Sequence, residues 1–351
     1  MKNKFYQRLN SLPPELWSKT ALIDELKGRW VSGATLNPQA LRRLKHSVLI
    51  VSTGASTRIE GSQLSDEDVE KLMRGLAVQK FVNRDQQEVK GYYELLSNVF
   101  ESWQTLSLTE NTVKHFHKEL LKYVDKDKLH RGEYKKSENK VHMIDATGQS
   151  VGILFDTTPA YLTSKEMLEL IETTRKAFEE KKYHPLIIIG NFLIEFLLIH
   201  PFQDGNGRLS RILTNLLLLK CGYEYAPYVS HEKLIEDNKA DYYISLRKSQ
   251  KSMRGRKPDI SSWLGFFLSM VYKQSQEAIH LLSKENVEKL LSPKQLVVWE
   301  FLQGVDVVTS GEISKKTKVA QPTIKQVLNK LMALKKIERI GLGRTTRYHK
   351  I

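Results

Sequence analysis

The chain has 351 residues, of which 40% are hydrophobic and 27% are charged. This composition is typical of a folded protein with two or three domains and argues against a largely disordered chain. The net charge of +15 permits nucleic acid, nucleotides or acidic proteins as partners, but a lysine-rich solvated surface explains it equally well.

Cysteine and apolar content narrow the class of protein further. The only cysteine, Cys221, excludes an intrachain disulfide and a zinc site built from cysteines. Residues 185–200 are the most apolar segment, but they are short for a membrane span and include Asn191 and Glu195, so they predict a buried core helix. The first residues lack an apolar core of signal-peptide length. We therefore expect a cytoplasmic protein that has no membrane partner.

The elements predicted before residue 164 are helices with one exception. Residues 1–90 predict an N-terminal helical region, and two more helices follow at 92–104 and 109–124. Residues 131–160 differ, because two apolar runs flank a polar turn at 146–150, which predicts a β-hairpin inside a helical protein. Helices resume at about Ser164.

The last segment, residues 291–351, predicts three helices and a small hairpin, the order found in winged-helix modules. It holds twelve Lys or Arg and four Asp or Glu, so its net charge of +8 is over half of the chain's excess. Such a module binds DNA with a recognition helix in the major groove and a basic wing on the phosphates. A protein-interaction or dimerisation module with a basic surface is the alternative.

Residues 200–211, HPFQDGNGRLSR, combine residue types that suit phosphate-ester chemistry. A proline ends one helix, a DGNG turn permits positive φ, and a new helix follows whose glycine-rich start exposes N–H groups to anions. Arg208 and Arg211 share one face of that helix and can bind phosphate oxygens. Asp204 is a hard ligand for Mg²⁺ held against phosphates, and His200 is a base that titrates near neutral pH. A tight turn with surface ion pairs explains any one of these residues, but not the whole motif.

The same twelve residues resemble the Fic-domain signature His-x-Phe-x-(Asp/Glu)-Gly-Asn-Gly-Arg-x-x-Arg and match it at every defined position. The resemblance covers about residues 91–275. It implies a mainly α fold: a Fic-type helical bundle with a β-hairpin flap, between a helical region at 1–90 and a winged-helix domain at 290–351. It also implies an enzyme that transfers AMP from ATP to a Ser, Thr or Tyr hydroxyl of a target protein, or to itself, and releases pyrophosphate.

The resemblance implies a role for each residue of the motif. His200 takes the proton of the acceptor hydroxyl, Phe202 packs into the core, and Asp204 binds Mg²⁺ across the α- and β-phosphates. Arg208 neutralises the departing pyrophosphate, and Arg211 binds the γ-phosphate. The residues that cradle the phosphates are Gly205, Asn206 and Gly207.

Two other segments gain meaning from the resemblance. The hairpin resembles the Fic flap, which aligns a target segment by β-strand addition, although a plain surface hairpin is the alternative. Its residues nearest the nucleotide are Val151, Gly152, Ile153 and Leu154. Tyr242 and Tyr243 resemble a tyrosine pair that lines the adenine pocket, with Gln250 within reach of the same pocket; core packing is the alternative for the tyrosines.

Residues 56–61, STRIEG, resemble the family's inhibitory motif (Ser/Thr)-x-x-x-Glu-(Gly/Asn), with Ser56, Glu60 and Gly61 at the defined positions. In that motif the glutamate pairs with the second arginine, here Arg211, so that bound ATP is misaligned for transfer. Its place before the Fic core matches relatives with an N-terminal inhibitory helix. An ordinary helix or loop residue is the alternative reading of Glu60.

Other functions stay open at this stage. Some Fic relatives transfer a different nucleotide, phosphate or phosphocholine, and relatives of the inhibited group can remove AMP. The two arginines with Asp204 favour a triphosphate donor, so ATP and Mg²⁺ are expected. A DNA-binding regulator with a nucleotide-sensing Fic site is a further alternative, and the sequence also allows a homodimer.

Overall fold

The computed structural model describes residues 4–10, 12–33, 38–75, 83–144, 150–253, 255, 257–334, 336–341 and 346–350. Most of these residues lie in α-helices, so the predicted mainly α fold is confirmed. The chain divides into two compact units, Met1–Ala278 and Ile279–Ile351. The predicted ranges 1–90 and 91–275 both lie within the first unit, and their separation into two domains stays a prediction.

Twelve helices begin among the described residues of the first unit. In chain order they are α1 (Lys4–Gln7), α2 (Pro14–Gly33), α3 (Pro38–Ile59), α4 (Asp66–Met73), α5 (Arg84–Ser102), α6 (Glu110–Leu120), α7 (Ala160–Glu180), α8 (Pro185–Ile199), α9 (Asn206–Lys220), α10 (His231–Asp237), α11 (Lys239–Met253) and α12 (Ser261–Leu290), with short 3₁₀ turns at Asp125–Asp127 and Ala226–Tyr228.

Two helices begin earlier than the sequence indicated. Helix α5 starts eight residues before the predicted start at Tyr92, because Asn83 caps it by accepting a hydrogen bond from the Gln86 N–H. Helix α7 starts at Ala160 rather than at about Ser164, because Pro159 occupies its N-cap position. The polar stretch 283–290 is also helical, as the end of α12.

The core of the first unit centres on α8 and α9. Nearly every residue of α8 is buried, as expected for a helix that is apolar on all sides. Its Asn191 and Glu195 are satisfied by Arg8, whose Nε donates to Asn191 Oδ1 at 2.8 Å and whose Nη2 pairs with Glu195. The predicted buried core helix is therefore confirmed. Across the part of the chain that the structure describes, none of the helices combines the length and the apolar character that crossing a membrane requires.

The predicted hairpin is present as strands β1 (Lys140–Ile144) and β2 (Ser150–Asp156). They pair antiparallel, with irregular register between Val141 and His142 and between Met143 and Ile144. The predicted turn falls largely on residues 145–149, outside the described residues. The predicted flap residues 151–154 lie in β2, whose backbone alone is described, and β2 runs beside α11.

The second unit has its own apolar core. Its elements are α13 (Pro293–Gln303), β3 (Val307–Val308), α14 (Ser310–Thr317), α15 (Gln321–Ala333), β4 (Ile337–Ile340) and β5 (Arg347–Lys350). The strands form an antiparallel sheet in the order β3-β5-β4. The predicted helices and hairpin occur in this order, whereas β3 is too short to leave a sequence pattern. The winged-helix assignment stays a prediction, and residues 342–345 of the predicted wing lie outside the described residues.

Candidate active site

Residues 200–211 connect the end of α8 to the start of α9. His200 is the C-cap residue of α8 and has a left-handed backbone, with φ of 52°. A residue with a side chain adopts this conformation at a cost of about 1–2 kcal/mol, so the neighbouring structure must hold it. Gly205, with φ of 78°, is the N-cap residue of α9 and adopts the same region without this cost. The loop therefore reverses the chain between two left-handed residues.

Phe202 and Asn206 close the loop. The Phe202 N–H donates to Asn206 Oδ1 at 2.9 Å, and Asn206 Nδ2 donates to the Phe202 carbonyl at 2.8 Å. The Phe202 ring is buried and stacks on His117 at 3.8 Å between centroids. His117 Nε2 donates to the Asp204 carbonyl at 3.0 Å, and its Nδ1 accepts from the Gly132 N–H at 2.9 Å. The Asn206 amide thus fixes the loop, and its predicted phosphate contact stays a prediction.

The geometry of His200 suits a general base. Its Nδ1 lies 3.3 Å from the Leu197 carbonyl oxygen. Because a carbonyl can only accept, Nδ1 carries the proton and Nε2 is the basic nitrogen. Burial lowers the pKa of His200 to about 4, although the Leu197 carbonyl opposes this shift. The imidazole is therefore neutral at pH 7, the state that a base requires.

Asp204 is an ionised carboxylate near the opening of the loop, with its side chain 40% exposed. Burial alone would raise its pKa, but the charge of Arg208, the Gly205 N–H and the charge of Arg84 together lower it. No group of three His, Cys, Asp or Glu side chains within the described part of the chain is placed to hold a metal. A single carboxylate fits Mg²⁺, because this ion is commonly bound by one or two carboxylates together with substrate phosphates.

Arg208 belongs to a ring of four alternating charges. Its Nη1 lies 2.6 Å from Glu88 Oε2, and its Nη2 lies 3.2 Å from Asp204 Oδ1. Arg84 completes the ring, since its Nε lies 2.7 Å from Glu88 Oε1 and its Nη2 pairs with Asp204. The sequence reading missed Arg84 and Glu88. Their four-residue spacing on one helix face was the available signal, but it is common on solvated helices.

Replacing Glu88 by glutamine is expected to destabilise the first unit. Arg208 is buried and keeps Asp204 as a partner, so losing the charge of Glu88 lowers the free energy of unfolding by about 2 kcal/mol, the contribution of one charged hydrogen bond. The matched control is Glu70→Gln, which removes an exposed pair with Arg74 and is expected to cost less than about 0.5 kcal/mol. Urea unfolding at pH 7 measures both. Equal losses in the two variants would show that the ring contributes no more than a surface pair.

Arg211 makes the contact predicted for it. It is 2% exposed, and its Nη2 lies 2.8 Å from Glu60 Oε1. Its Nε donates to Ser56 Oγ at 2.7 Å, and its Nη2 donates to the Ser56 carbonyl at 2.8 Å. Its Nη1 is buried and has no hydrogen-bond partner among the described residues. The pairing of Glu60 with Arg211 is therefore present, whereas its inhibitory role stays a prediction.

The first turn of α9 accommodates the Glu60 carboxylate because Gly207 has no side chain. A Cβ at Gly207 would lie 2.2 Å from Glu60 Oε1. Gly61, with φ of 107°, follows Glu60 directly after the end of α3. A carboxylate thus occupies the N-terminal turn of a helix beside a buried arginine, a position that favours anions.

Arg58, inside the STRIEG segment, anchors the end of α3. Its Nε and Nη2 donate to the two carboxylate oxygens of Glu236 at 2.6 and 3.1 Å. Its Nη1 donates to Asp66 Oδ1 at 2.9 Å. The place of Glu60 is therefore fixed by contacts to both α10 and α4, which the sequence reading did not identify.

A buried polar cluster contacts the backbone of Arg211. Asn215 Nδ2 donates to the Arg211 carbonyl at 3.1 Å and lies 2.6 Å from Glu232 Oε1. The Tyr92 hydroxyl donates to the same oxygen at 2.9 Å. Burial raises the pKa of Glu232. The sequence reading missed this cluster, since its members are far apart in the chain and match no motif.

Helix α11 carries the residues predicted to line an adenine pocket. Tyr242 is buried edge-on against Trp263, as the core-packing alternative expected, while Tyr243 is partly exposed. Gln250 is 3% exposed, and neither of its amide atoms has a hydrogen-bond partner among the described residues. A buried amide without a partner is costly, so both of its polar atoms can still take a hydrogen bond from a bound molecule. The adenine-binding role of all three residues stays a prediction.

Residues 107–218 match the family model described as the Fic/DOC family, and the chain therefore contains a Fic domain, as the sequence predicted. A Fido domain-containing protein of Dictyostelium discoideum is 36% identical over 90 residues, which cover 26% of this chain and 59% of that protein. The protein adenylyltransferase Fic of Aedes aegypti is 26% identical over 189 residues, 52% of this chain and 35% of that protein. The matches thus span only part of both relatives.

The fold has a counterpart among solved structures. The crystal structure of a Fic family protein from Desulfovibrio desulfuricans G20 superimposes with a TM-score of 0.63 and covers 97% of both chains. At 23% identity this likeness shows a shared fold.

Proposed function

We propose that this protein is a Mg²⁺-dependent protein adenylyltransferase, which transfers AMP from ATP to a Ser, Thr or Tyr hydroxyl of a target protein and of itself. The proposal rests chiefly on the anion site at the start of α9. There a carboxylate, Glu60, lies on the buried Arg211 and against Gly207. The Fic domain and the neutral His200 beside this site support the same assignment.

The geometry suits an in-line transfer. His200 Nε2 accepts the proton of the acceptor hydroxyl, and the hydroxyl oxygen forms a bond to the α-phosphorus of ATP. The bond from the α-phosphorus to the oxygen that bridges it to the β-phosphate breaks, so that pyrophosphate leaves. Arg208 and Arg211 bind the phosphate oxygens, and the N–H groups of 205–207 add further donors. Asp204 would hold Mg²⁺, which supplies positive charge to the phosphates when bound. Positioning and charge stabilisation thus account for the catalysis.

Glu60 acts as an inhibitor in this proposal. Its carboxylate occupies the Arg211 donors that would bind the γ-phosphate, so ATP binds without the alignment that transfer requires. The flap residues 151–154 would align the target strand. Tyr242, Tyr243 and Gln250 would surround the adenine, a role supported by the buried Gln250 amide, which has no hydrogen-bond partner among the described residues.

Labelled ATP tests which group is transferred. With Mg²⁺, label at the α-phosphate is expected to enter protein, label at the γ-phosphate is not, and EDTA removes the incorporation. Entry of the γ-label would assign phosphate transfer instead, and mass spectrometry of the modified residue identifies the adduct. Release of AMP from previously modified protein would assign AMP removal. Incorporation of neither label would contradict the proposal.

A second function, DNA binding by the second unit, is favoured by the net charge of +8 over residues 291–351. Lys325 is exposed on α15, the predicted recognition helix. Lys325→Glu in the full chain is expected to weaken binding to a fluorescent duplex and to reduce the slope of log affinity against log salt by about 1. Lys165→Glu, an exposed change on α7, is the matched control. No salt-sensitive binding by the unchanged chain would favour a protein-interaction module.

A further inference from the structure

Lys135 is a buried lysine at the base of the hairpin, with 4% of its surface exposed. Its ammonium lies 3.0 Å from the Ile199 carbonyl, 2.9 Å from Thr157 Oγ1 and 2.8 Å from Asn139 Oδ1. Three acceptors match the three N–H groups of an ammonium. The charge is therefore surrounded by oxygens from the residues before β1, the residue after β2 and the last turn of α8.

Lys135, Asn139 and Thr157 form what we call the hairpin junction, which grips the backbone on both sides of His200. The backbone N–H of Lys135 donates to the Pro201 carbonyl at 2.9 Å. Asn139 Nδ2 donates to the Phe202 carbonyl at 2.9 Å. Together with the Ile199 contact, these bonds hold the carbonyl groups of the residue before His200 and of the two residues after it.

This support matters because His200 has a left-handed backbone, which persists only where the surroundings hold it. Its own N–H donates to the Phe196 carbonyl at 2.9 Å, and its Nδ1 bonds to Leu197. Both contacts lie within α8 and leave the chain after His200 unsupported by that helix. The hairpin junction supplies contacts on that side.

The ammonium also acts on His200 through its charge. Burial is the larger cause of the lowered pKa of His200, and the positive charge of Lys135 lowers it further, whereas the charges of Glu60 and Asp204 oppose it. A nearby cation disfavours the imidazolium. Lys135 thus favours the neutral ring as well as the backbone conformation that presents it.

We propose that Lys135 is a positioning residue for His200, and that the hairpin junction couples the flap to the catalytic base. The inference rests on the proposed function, which assigns His200 as the base. A shift of the hairpin junction moves the carbonyl groups of residues 199, 201 and 202, and the His200 imidazole moves with them. Small misplacements of a reacting group are expected to reduce turnover strongly.

The direct test measures the state of His200 by NMR in the full chain with isotope-labelled histidine rings. Lys135→Met removes the ammonium and retains an apolar stem. We expect the pKa of His200 to rise and its ring nitrogens to lose the signature of a single Nδ1–H tautomer. The control is Lys27→Met, since Lys27 donates to the Cys221 carbonyl at 2.8 Å, just beyond the end of α9. It should leave His200 unchanged. An unaltered His200 in Lys135→Met would overturn the inference.

Kinetics give the second readout, in a Glu60→Gly parent. Lys135→Met is expected to lower kcat for AMP incorporation about tenfold or more while KM for ATP changes less than about threefold, and Lys27→Met retains both values. A loss confined to KM would contradict a positioning role. If Lys135→Met does not fold, Asn139→Ala takes its place, with the same expected loss of kcat. A parent without incorporation would refute the proposed function, whereas the NMR result would still decide the state of His200.

Discussion

Replacing His200 by alanine is expected to lower the rate of AMP transfer by roughly 10²- to 10⁴-fold, the usual contribution of a positioned general base. His200 Nε2 is the only basic nitrogen that the motif 200–211 provides, and its ring is neutral at pH 7. The groups proposed to bind the phosphates stay in place in this variant. ATP affinity, measured by calorimetry, should therefore change less than about threefold, and equal transfer by both proteins would refute the assignment of the base.

The pH dependence of AMP transfer by the unchanged protein tests the same assignment of His200. The proposed base, His200, works in its unprotonated form, and its pKa is lowered to about 4 by burial. The rate should therefore stay constant as the pH falls from 7 to about 5 and decline as it approaches 4. A decline centred near the ordinary histidine value would contradict the burial of this ring. Circular dichroism at each pH separates this loss from acid unfolding.

Replacing Glu60 by glycine is expected to raise AMP transfer, including self-modification, by roughly ten- to a hundredfold. The Glu60 carboxylate holds Arg211 at 2.8 Å, and a charge-assisted bond of this kind contributes about 1.5–3 kcal/mol, which corresponds to that range of rates. Without the carboxylate, Arg211 can bind the γ-phosphate. Incorporation of α-labelled AMP over time measures the change.

Two controls isolate the effect of Glu60. Glu67→Gly places the same glycine at an exposed position of α4, away from Arg211, and should leave the rate unchanged. The double variant Glu60→Gly with His200→Ala should show no transfer, because transfer still needs His200 as the proposed base after the inhibition by Glu60 is removed. A rate that stays at the parent level in Glu60→Gly would mean that the ion pair with Arg211 is structural.

Much of the candidate site could be predicted because its main motif is continuous. Residues 200–211 contain the proposed base, the loop and the first turn of α9, and their spacing is set by local backbone geometry. The pairing of Glu60 with Arg211 crosses 151 positions and became predictable only through the resemblance of STRIEG to an inhibitory motif. Arg84, Glu88 and Lys135 could not be predicted, since isolated charged residues on helices and loops are usually solvated.

The sequence by itself determined the helical character of the chain, the buried core helix, the hairpin and the loop between α8 and α9. Each of these depends on residues close together in the chain, through hydrophobic periodicity, caps and glycine conformations. Only the tertiary structure decided which carboxylates meet Arg208, which contacts anchor Arg58, and which buried ammonium contacts the Ile199 carbonyl next to His200. Such pairings depend on how the helices and the hairpin junction pack. A buried charge pairs with side chains that packing brings near it, and these can lie at any distance along the sequence.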